Sequence, residues 1–439
     1  MNDYRKQRLI FTVLLFVFAF MIAKEISIFI YAFPVMSIIF YSVSLNDGEK
    51  FDVIDMFWFM AALFFVVAPA ATLTAYNDSF LFGMGVVVEY PYFDFLYPQE
   101  YLLKMYVVVS VGLFLSSLII PFRVGLKSIK DTAINIKIPF LLIVLSVLFF
   151  ILISQNGGIE NTLKPRFEKE FIKPVYLVLF EAIYMIVLFI GLSGLKDNRN
   201  LFFVFVLCFM HLVLFNPLNT ARFTLIIAWL PVLIILFPSM LNYRKFAALI
   251  MFGLIVLMPI LSLTTRFGAE GLVDFSLSMD KFLAYLDVHT IILHTFEYVD
   301  KYGHGYGESL LALFLFFIPR DIWPDKPHVI GLVIGGDLYN SGIVGTSNLS
   351  GPVLADLYYD FGYLGVIFGT LMFSLLFRFL VRKNLLINGN NINGLILLSA
   401  LPILTRGSVG AVIALPFFML VFINVIVFIK GKVVFTKGE

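Results

Sequence analysis

Five basic residues stand beside strongly apolar segments of the chain: Arg222, Arg266, Arg320, Lys326 and Arg406. An arginine costs about 2.5–3.5 kcal/mol at the centre of a membrane helix, so a group of cations at the ends of such helices favours an anionic partner. Guanidinium groups bind phosphate through paired hydrogen bonds. The pattern predicts a site for an amphiphile that bears phosphate or pyrophosphate. The alternative is that each side chain reaches lipid headgroups independently.

Candidates for a general base lie in the same late part of the chain. Histidine and carboxylate groups commonly deprotonate a hydroxyl at neutral pH. His304, flanked by Gly303 and Gly305, and Asp356 are the best placed of these groups. The alternative for each is an ordinary surface group. The histidine spacing matches no metal-ligand pattern, so we expect no bound metal.

A second ionisable pair lies inside apolar segments. Glu181 and His211 are predicted at similar depth in two successive membrane spans. Ionisable residues inside a membrane are candidates for function by default, and this pair would suit the coupling groups of a transporter. A buried hydrogen bond between packed helices is the other reading.

The composition shows which elements must position these residues. Of the 439 residues, 61% are hydrophobic and only 14% are charged, against about 45–50% and about 25% in soluble domains. The excess must face lipid, so we predict an all-α polytopic membrane protein, with residues 1–439 forming a single transmembrane bundle. The twelve predicted spans lie near residues 9–23, 26–45, 53–76, 102–121, 138–154, 174–194, 200–217, 221–240, 246–263, 353–377, 386–404 and 408–429.

Basic residues concentrate in the short loops on one side of these spans, which predicts a cytoplasmic location for that side and for both termini. The net charge of +2 and the lack of a basic tract argue against nucleic acid as a partner. The single cysteine, Cys208, excludes a disulfide framework within the chain.

The longest predicted loop runs over residues 264–352, between spans 9 and 10, on the external side. Its length and internal patterning indicate a functional segment. Residues 280–301 show the periodicity of an amphipathic helix on a membrane surface. The apolar run 310–318 is too short to cross a bilayer and predicts a re-entrant segment that ends at Pro319.

Several short motifs in this region resemble one family. They are Phe317-Ile318-Pro319-Arg320, Trp323-Pro324, Lys326-Pro327, the segment YYDFGYLG at 358–365, and Thr405-Arg406-Gly407-Ser408. Together with the predicted layout, they resemble the Wzy-type O-antigen and oligosaccharide repeat-unit polymerases of bacterial envelopes. The motifs cover about 100 residues of the chain.

The resemblance implies a membrane glycosyltransferase in the bacterial inner membrane. It would join undecaprenyl-pyrophosphate-linked repeat units into O-antigen, capsule or exopolysaccharide at the periplasmic face, without a cofactor, nucleotide or metal. Arg222, Arg266, Arg320 and Arg406, with Lys326, would neutralise the pyrophosphate leaving group. A chain-length regulator is a candidate protein partner.

Two alternatives stay open. An O-antigen ligase of similar fold would share these residues and this chemistry. A lipid-linked oligosaccharide flippase, or another secondary transporter, would use Glu181 and His211. Transporters usually carry inverted repeats, and the unequal loops of this chain favour a reaction on one side of the membrane.

Overall fold

The computed structural model of the protein describes residues 3–46, 48, 50–76, 95–120, 138–164, 175–197, 201–217, 220–257, 260–261, 286, 288–318, 320, 322–341, 347, 349, 351–384, 392–407 and 413–435. The chain forms two compact units. Unit 1 contains residues 1–125, 278–383 and 401–412, and unit 2 contains residues 126–277, 384–400 and 413–439.

In its described residues, unit 1 is helical apart from one pair of short strands. Its elements are α1 (Asp3–Ile22), α2 (Ile28–Leu45), α3 (Val53–Ala62), a π-helical turn (Leu63–Val67), α4 (Ala68–Thr72), β1 (Leu73–Tyr76), β2 (Phe95–Pro98), α5 (Gln99–Ile119), and, after the residues of unit 2, α12 (Val288–Tyr302), α13 (Glu308–Phe314), α14 (Ile330–Asn340) and α15 (Val353–Asn384).

Unit 2 is helical throughout its described residues. Its elements are α6 (Ile138–Gln155), α7 (Gly158–Leu163), α8 (Val175–Asp197), α9 (Leu201–Leu214), α10 (Arg222–Leu236), a 3₁₀ turn (Pro238–Leu241), α11 (Tyr243–Phe252), a π-helical turn (Gly253–Leu257) and α17 (Ala414–Phe435). Helix α8 packs against α6, α10 and α17. The remaining helix, α16 (Ile392–Arg406), is divided between the two units at residue 400.

The predicted helical class is confirmed, and a helix lies at each of the twelve predicted spans. By length and composition, five segments of the described chain could cross a membrane: Ile28–Leu45, Val53–Thr72, Gln99–Ile119, Tyr176–Gly194 and Val353–Val381. Five other apolar helices are shorter, among them Leu201–Leu214 and Arg222–Leu236. The protein is therefore a helical protein with several segments suited to a membrane.

The short strands are a difference from the all-α prediction. Leu73–Tyr76 pairs in parallel with Phe95–Pro98. Four residues per strand are too few for an alternating pattern to stand out in so apolar a sequence, and parallel partners are set by tertiary packing.

Several helices carry apolar side chains on their outer faces. On α9, Phe202, Phe205 and Phe209 are 70%, 68% and 57% exposed. They recur at the spacing of one helix face, so α9 has an apolar outward stripe. In contrast, 94% of the most apolar 18-residue stretch of Val53–Thr72 is buried inside the protein. This segment is the interior helix of unit 1.

A buried ion pair ties α1 to the start of α3. Arg8 Nε lies 2.7 Å from Asp55 Oδ1, and both side chains are nearly inaccessible to solvent. The guanidinium also donates to the carbonyl oxygens of Gly48 and Lys50, while Asn46 Nδ2 donates to Asp55 over 2.9 Å. A basic residue that looks like a cytoplasmic flank in the sequence is therefore fully paired inside the protein.

The prediction of a surface amphipathic helix over 280–301 is corrected by the structure. The helix is α12, Val288–Tyr302, and its residues 288–296 are all buried in unit 1. It packs against α5 and α14, and His289 Nε2 lies 2.7 Å from Thr72 Oγ1. His294, expected on the solvated face, is 2% exposed. Residues 280–285 and 287 lie outside the described residues.

The Arg8–Asp55 pair predicts a large loss of stability when one partner is removed. Asp55→Asn leaves the Arg8 charge buried without its counter-ion, which should lower the free energy of unfolding by about 3–5 kcal/mol. Thermal unfolding of the purified protein in detergent measures this. Lys6→Ala, at an exposed position of the same helix, is the control and should change the midpoint little; equal midpoints for the two variants would contradict the assignment.

The buried histidines of α12 predict acid sensitivity. Burial lowers the pKa of His289 to about 3 and also lowers the pKa of His294, against the opposing effect of Glu297. The unfolded chain takes up these protons near pH 6.5, so stability falls as the pH drops below that value. For His289 alone, the free energy of unfolding should fall by about 2 kcal/mol between neutral pH and pH 5. Unfolding midpoints at pH 7.5 and pH 5 test this, and His289→Gln should reduce the difference; a midpoint independent of pH would refute it.

Candidate functional site

The helix that carries the YYDFGYLG segment is kinked in the middle of that segment. Within α15, Phe361 (φ −141°, ψ 18°) and Gly362 (φ 60°, ψ −143°) depart from helical geometry. The positive φ of Gly362 suits glycine because a side chain there would be strained. A kink interrupts the helical hydrogen-bond ladder and frees backbone groups for other partners.

A glycine-rich loop docks on this kink through its backbone. Gly305 N donates to Tyr359 O over 3.0 Å, and Tyr306 N donates to Asp360 O over 3.1 Å. The approach is so close that a Cβ atom at Gly305 would lie 2.2 Å from the Tyr359 ring. The loop that follows α12 and the kinked part of α15 therefore form one site.

Asp360 caps a helix in another part of the chain. Its two carboxylate oxygens accept hydrogen bonds from Ser309 N over 3.1 Å and from Leu310 N over 2.8 Å. These are amide groups of the first turn of α13, which have no partner within the helix, and the carboxylate also complements the helix dipole. The cap compensates for Gly307 at the N-cap position, which has no side chain to supply one.

Asp356, one turn earlier on the same face of α15, joins α13 to α14. Its Oδ1 accepts a hydrogen bond from the Ser309 hydroxyl and another, over 2.9 Å, from Ile330 N at the start of α14. Asp356 is 1% exposed, and its Oδ2 has no hydrogen-bond partner among the described residues. The predicted base is thus a buried carboxylate that holds the first turns of α13 and α14 together.

His304 is oriented by the same kink. Its Nδ1 lies 3.1 Å from Tyr359 O, and because a carbonyl oxygen only accepts, we assign the proton to Nδ1. Nε2 then carries a lone pair. It faces the space left by Gly362, where an added Cβ would lie 3.4 Å from Nε2. His304 is half-buried and its ring is oriented by this contact, whereas Asp356 is fully buried.

Arg320 and Lys326 both fold back on their own loop. Arg320 donates to the carbonyl oxygens of Lys326 over 2.6 Å and of Pro327 over 3.2 Å, and its NH2 lies 2.9 Å from His328 Nδ1. Lys326 Nζ donates to the carbonyls of Phe316 and Ile318 over 3.2 and 3.1 Å. The loop after α13 is thus closed by its two cations.

Carbonyl partners orient these cations without neutralising their charge. Burial and the charge of Arg320 lower the pKa of Lys326, and the same two causes lower the pKa of His328. Burial is the larger cause of both shifts, and the nearby guanidinium adds to it.

The other predicted cations lie elsewhere in the chain. Arg222 is the first residue of α10 in unit 2, and Arg406 is the last residue of α16, in the part that belongs to unit 1. Arg266 lies outside the described residues. Arg320 and Lys326 thus lie in one loop. The His304 loop contacts α15, which is the helix that carries Asp356. Among the described residues, none form a group of three or more His, Cys, Asp or Glu side chains that could hold a metal ion.

The Glu181 and His211 pair has a different setting. Both side chains are buried in unit 2. His211 Nε2 lies 3.1 Å from Ala228 O, and its ring packs against Trp229 and Tyr184 at centroid distances of 4.7 and 6.0 Å. The imidazole thus contacts two aromatic rings and one backbone carbonyl.

Sequence reasoning missed Asp360, Ser309 and the strained Tyr306. One signal was available for Asp360, because two aspartates four residues apart share a helix face in an otherwise apolar segment. Nothing in the sequence indicates that the two carboxylates bind the ends of two other helices. That pairing depends on contacts between residues about 50 positions apart.

Comparison of the chain with protein-family models, with curated proteins and with solved structures finds no match.

The close approach at Gly305 predicts a local defect when a methyl group is added. Gly305→Ala forces the loop away from Tyr359 and should destabilise the protein by about 1–3 kcal/mol through overpacking. Gly336→Ala in α14 is the matched control, because nothing lies within 4 Å of the added atom. Thermal unfolding of both variants in detergent tests the docking, and a Gly305→Ala midpoint as high as that of Gly336→Ala would disprove it.

Proposed function

We propose that the protein is a membrane glycosyltransferase that polymerises undecaprenyl-pyrophosphate-linked oligosaccharide units into O-antigen, capsule or exopolysaccharide. One observation supports this most: the loop with His304 and the YYDFGYLG segment, far apart in the sequence, meet in one site at the kink of α15. An oriented histidine on this loop suits a reaction that needs a base, and the two cations of the loop after α13 suit an anionic leaving group.

In the proposed reaction, a hydroxyl of the acceptor sugar attacks the anomeric carbon of the donor glycan. His304 Nε2 accepts the hydroxyl proton as the new glycosidic bond forms. The bond between the anomeric carbon and the pyrophosphate oxygen breaks, and undecaprenyl pyrophosphate leaves with the electron pair. Arg320 and Lys326 supply positive charge for that leaving group, with Arg222, Arg266 and Arg406 as further candidates.

Asp356 has a supporting role in this proposal. A general base must reach the proton that it removes, and Asp356 is buried, with one oxygen occupied by Ser309 and Ile330. We therefore assign the base to His304 and the positioning of α13 and α14 to Asp356.

The membrane arrangement is part of the proposal. Five segments with the length and composition of spans, together with seven further helices at predicted spans, support a polytopic protein. We propose twelve spans, cytoplasmic termini and a site on the periplasmic side of the inner membrane, because the basic residues favour that orientation.

The rate of polymerisation in inverted or permeabilised membranes tests the role of His304. His304→Gln keeps a polar side chain but lacks the basic nitrogen, and we expect a loss of about 10²–10⁴-fold in polymerisation rate. The membranes come from bacteria in which the gene is deleted and then complemented with each variant. Immunoblots confirm that the variants are present at equal levels.

His211→Gln is the discriminating control for this experiment. The polymerase proposal predicts normal chain growth with His211→Gln, whereas a transporter that couples through Glu181 and His211 predicts the opposite pattern. A deletion strain that keeps a single repeat unit on the acceptor indicates loss of the polymerase. Loss of even the single unit indicates the ligase or an earlier step and would refute the proposal.

A further inference from the structure

Tyr306 has an unusual backbone conformation for its residue type. In the described part of the chain it is the one residue other than glycine with a positive φ, at 49°. Its ring is 82% exposed, so packing gains nothing from it. Strained residues that the surrounding structure holds in place are concentrated at functional sites. Here the strain is held by the hydrogen bond from Tyr306 N to Asp360 O.

Further tyrosines continue from this loop along the end of α12. Tyr302 is 53% exposed, its hydroxyl donates to Asp337 Oδ1 over 3.2 Å, and its ring lies 4.7 Å from that of Tyr298. Tyr298 contacts Tyr359 at 5.9 Å. We call the contacting pair Tyr298 and Tyr302 the tyrosine shelf.

The shelf is surrounded by several carboxylates and one cation, Lys301, whose Nζ lies 4.6 Å from the centroid of the Tyr302 ring. Burial and the carboxylate of Asp337, with a smaller effect from Glu308, raise the pKa of Tyr298, while Lys301 opposes them. Asp300 and Glu308 are exposed nearby in the sequence. Carboxylates accept hydrogen bonds from hydroxyl groups and repel anions. This setting suits an uncharged, hydroxyl-rich ligand better than an anionic lipid headgroup.

We propose that Tyr306 is the platform of a subsite for a neutral sugar ring. The face of an aromatic ring is negative and attracts the C–H groups of a pyranose, while Asp337 and Glu308 accept from its hydroxyls. His304 lies two residues before Tyr306 on the same docked loop, which brings a bound sugar close to the proposed base. The identification of this sugar as the acceptor rests on the proposed function.

Glycan binding by the purified full-length protein in detergent tests the subsite. An array that carries neutral and acidic bacterial oligosaccharides identifies a bound probe, and calorimetric titration then gives its Kd. We expect neutral probes to bind, Tyr306→Ala to weaken the Kd by about tenfold, and Tyr306→Phe to bind like wild type. Tyr339→Ala, which removes another exposed tyrosine of unit 1 (53% exposed), should have no effect.

Tyr306→Gly separates binding from folding. It removes the ring and relieves the strained φ, so the unfolding midpoint should be equal or higher while glycan binding weakens as much as in Tyr306→Ala. Unchanged binding in Tyr306→Ala, a wild-type preference for acidic probes, or no binding to any probe would each overturn the subsite. So would quenching of Tyr306→Trp fluorescence by brominated lipid, since the residue would then lie in the bilayer.

The subsite and the proposed function fail in different experiments. If deletion of the gene leaves polysaccharide chain length unchanged while Tyr306→Ala weakens probe binding about tenfold, the polymerase proposal is wrong and the sugar subsite stands. If chain growth requires the protein and Tyr306→Ala binds its probe normally, the subsite is wrong and the polymerase proposal stands.

Discussion

Two carboxylates on one face of a single helix organise the whole candidate site. Asp356 and Asp360 are four residues apart on α15, and each accepts backbone amides from the first turn of another helix. Unpaired amides at helix ends are costly when they are buried. The carboxylates therefore fix where α13 and α14 begin. The kink one residue beyond Asp360 then offers its carbonyls to the loop that carries His304 and Tyr306.

This arrangement changes how the charged residues of the region are understood. In the sequence, cations suggest direct contacts to phosphate and carboxylates suggest bases. In the structure, Arg320 and Lys326 donate hydrogen bonds to carbonyl oxygens of their own loop. Asp356 is buried beneath two helix ends. The hydrogen bonds of the two cations hold their own loop, and those of Asp356 hold two helix ends. In the proposed function, the imidazole of His304 and the exposed ring of Tyr306 contact the ligand.

Elsewhere in unit 1, the sequence also suggests one environment for a residue and the structure shows another. Arg8 reads as one of several basic residues at the start of the chain, yet it is paired with Asp55 and fully buried. The helix over 288–302 reads as amphipathic, yet its first nine residues are enclosed by α5, α14 and the neighbouring turn. Periodicity identifies a helix because side chains repeat every 3.6 residues, but it does not identify what covers each face. Histidines and threonines that pair inside the protein look the same as solvated ones.

The sequence by itself determined that the chain is helical and apolar, and where its long apolar helices lie, because these follow from local composition and periodicity over 15 to 25 residues. It did not indicate the short helices α7 and α14. It also marked the two segments that form the site. The tertiary structure alone decided that the segments meet, that Asp360 caps α13, that His304 is held through Nδ1, and that the strands pair at 73–76 and 95–98. Each of these depends on partners about 20 to 55 residues apart, and contacts at that separation leave no periodic trace in the chain.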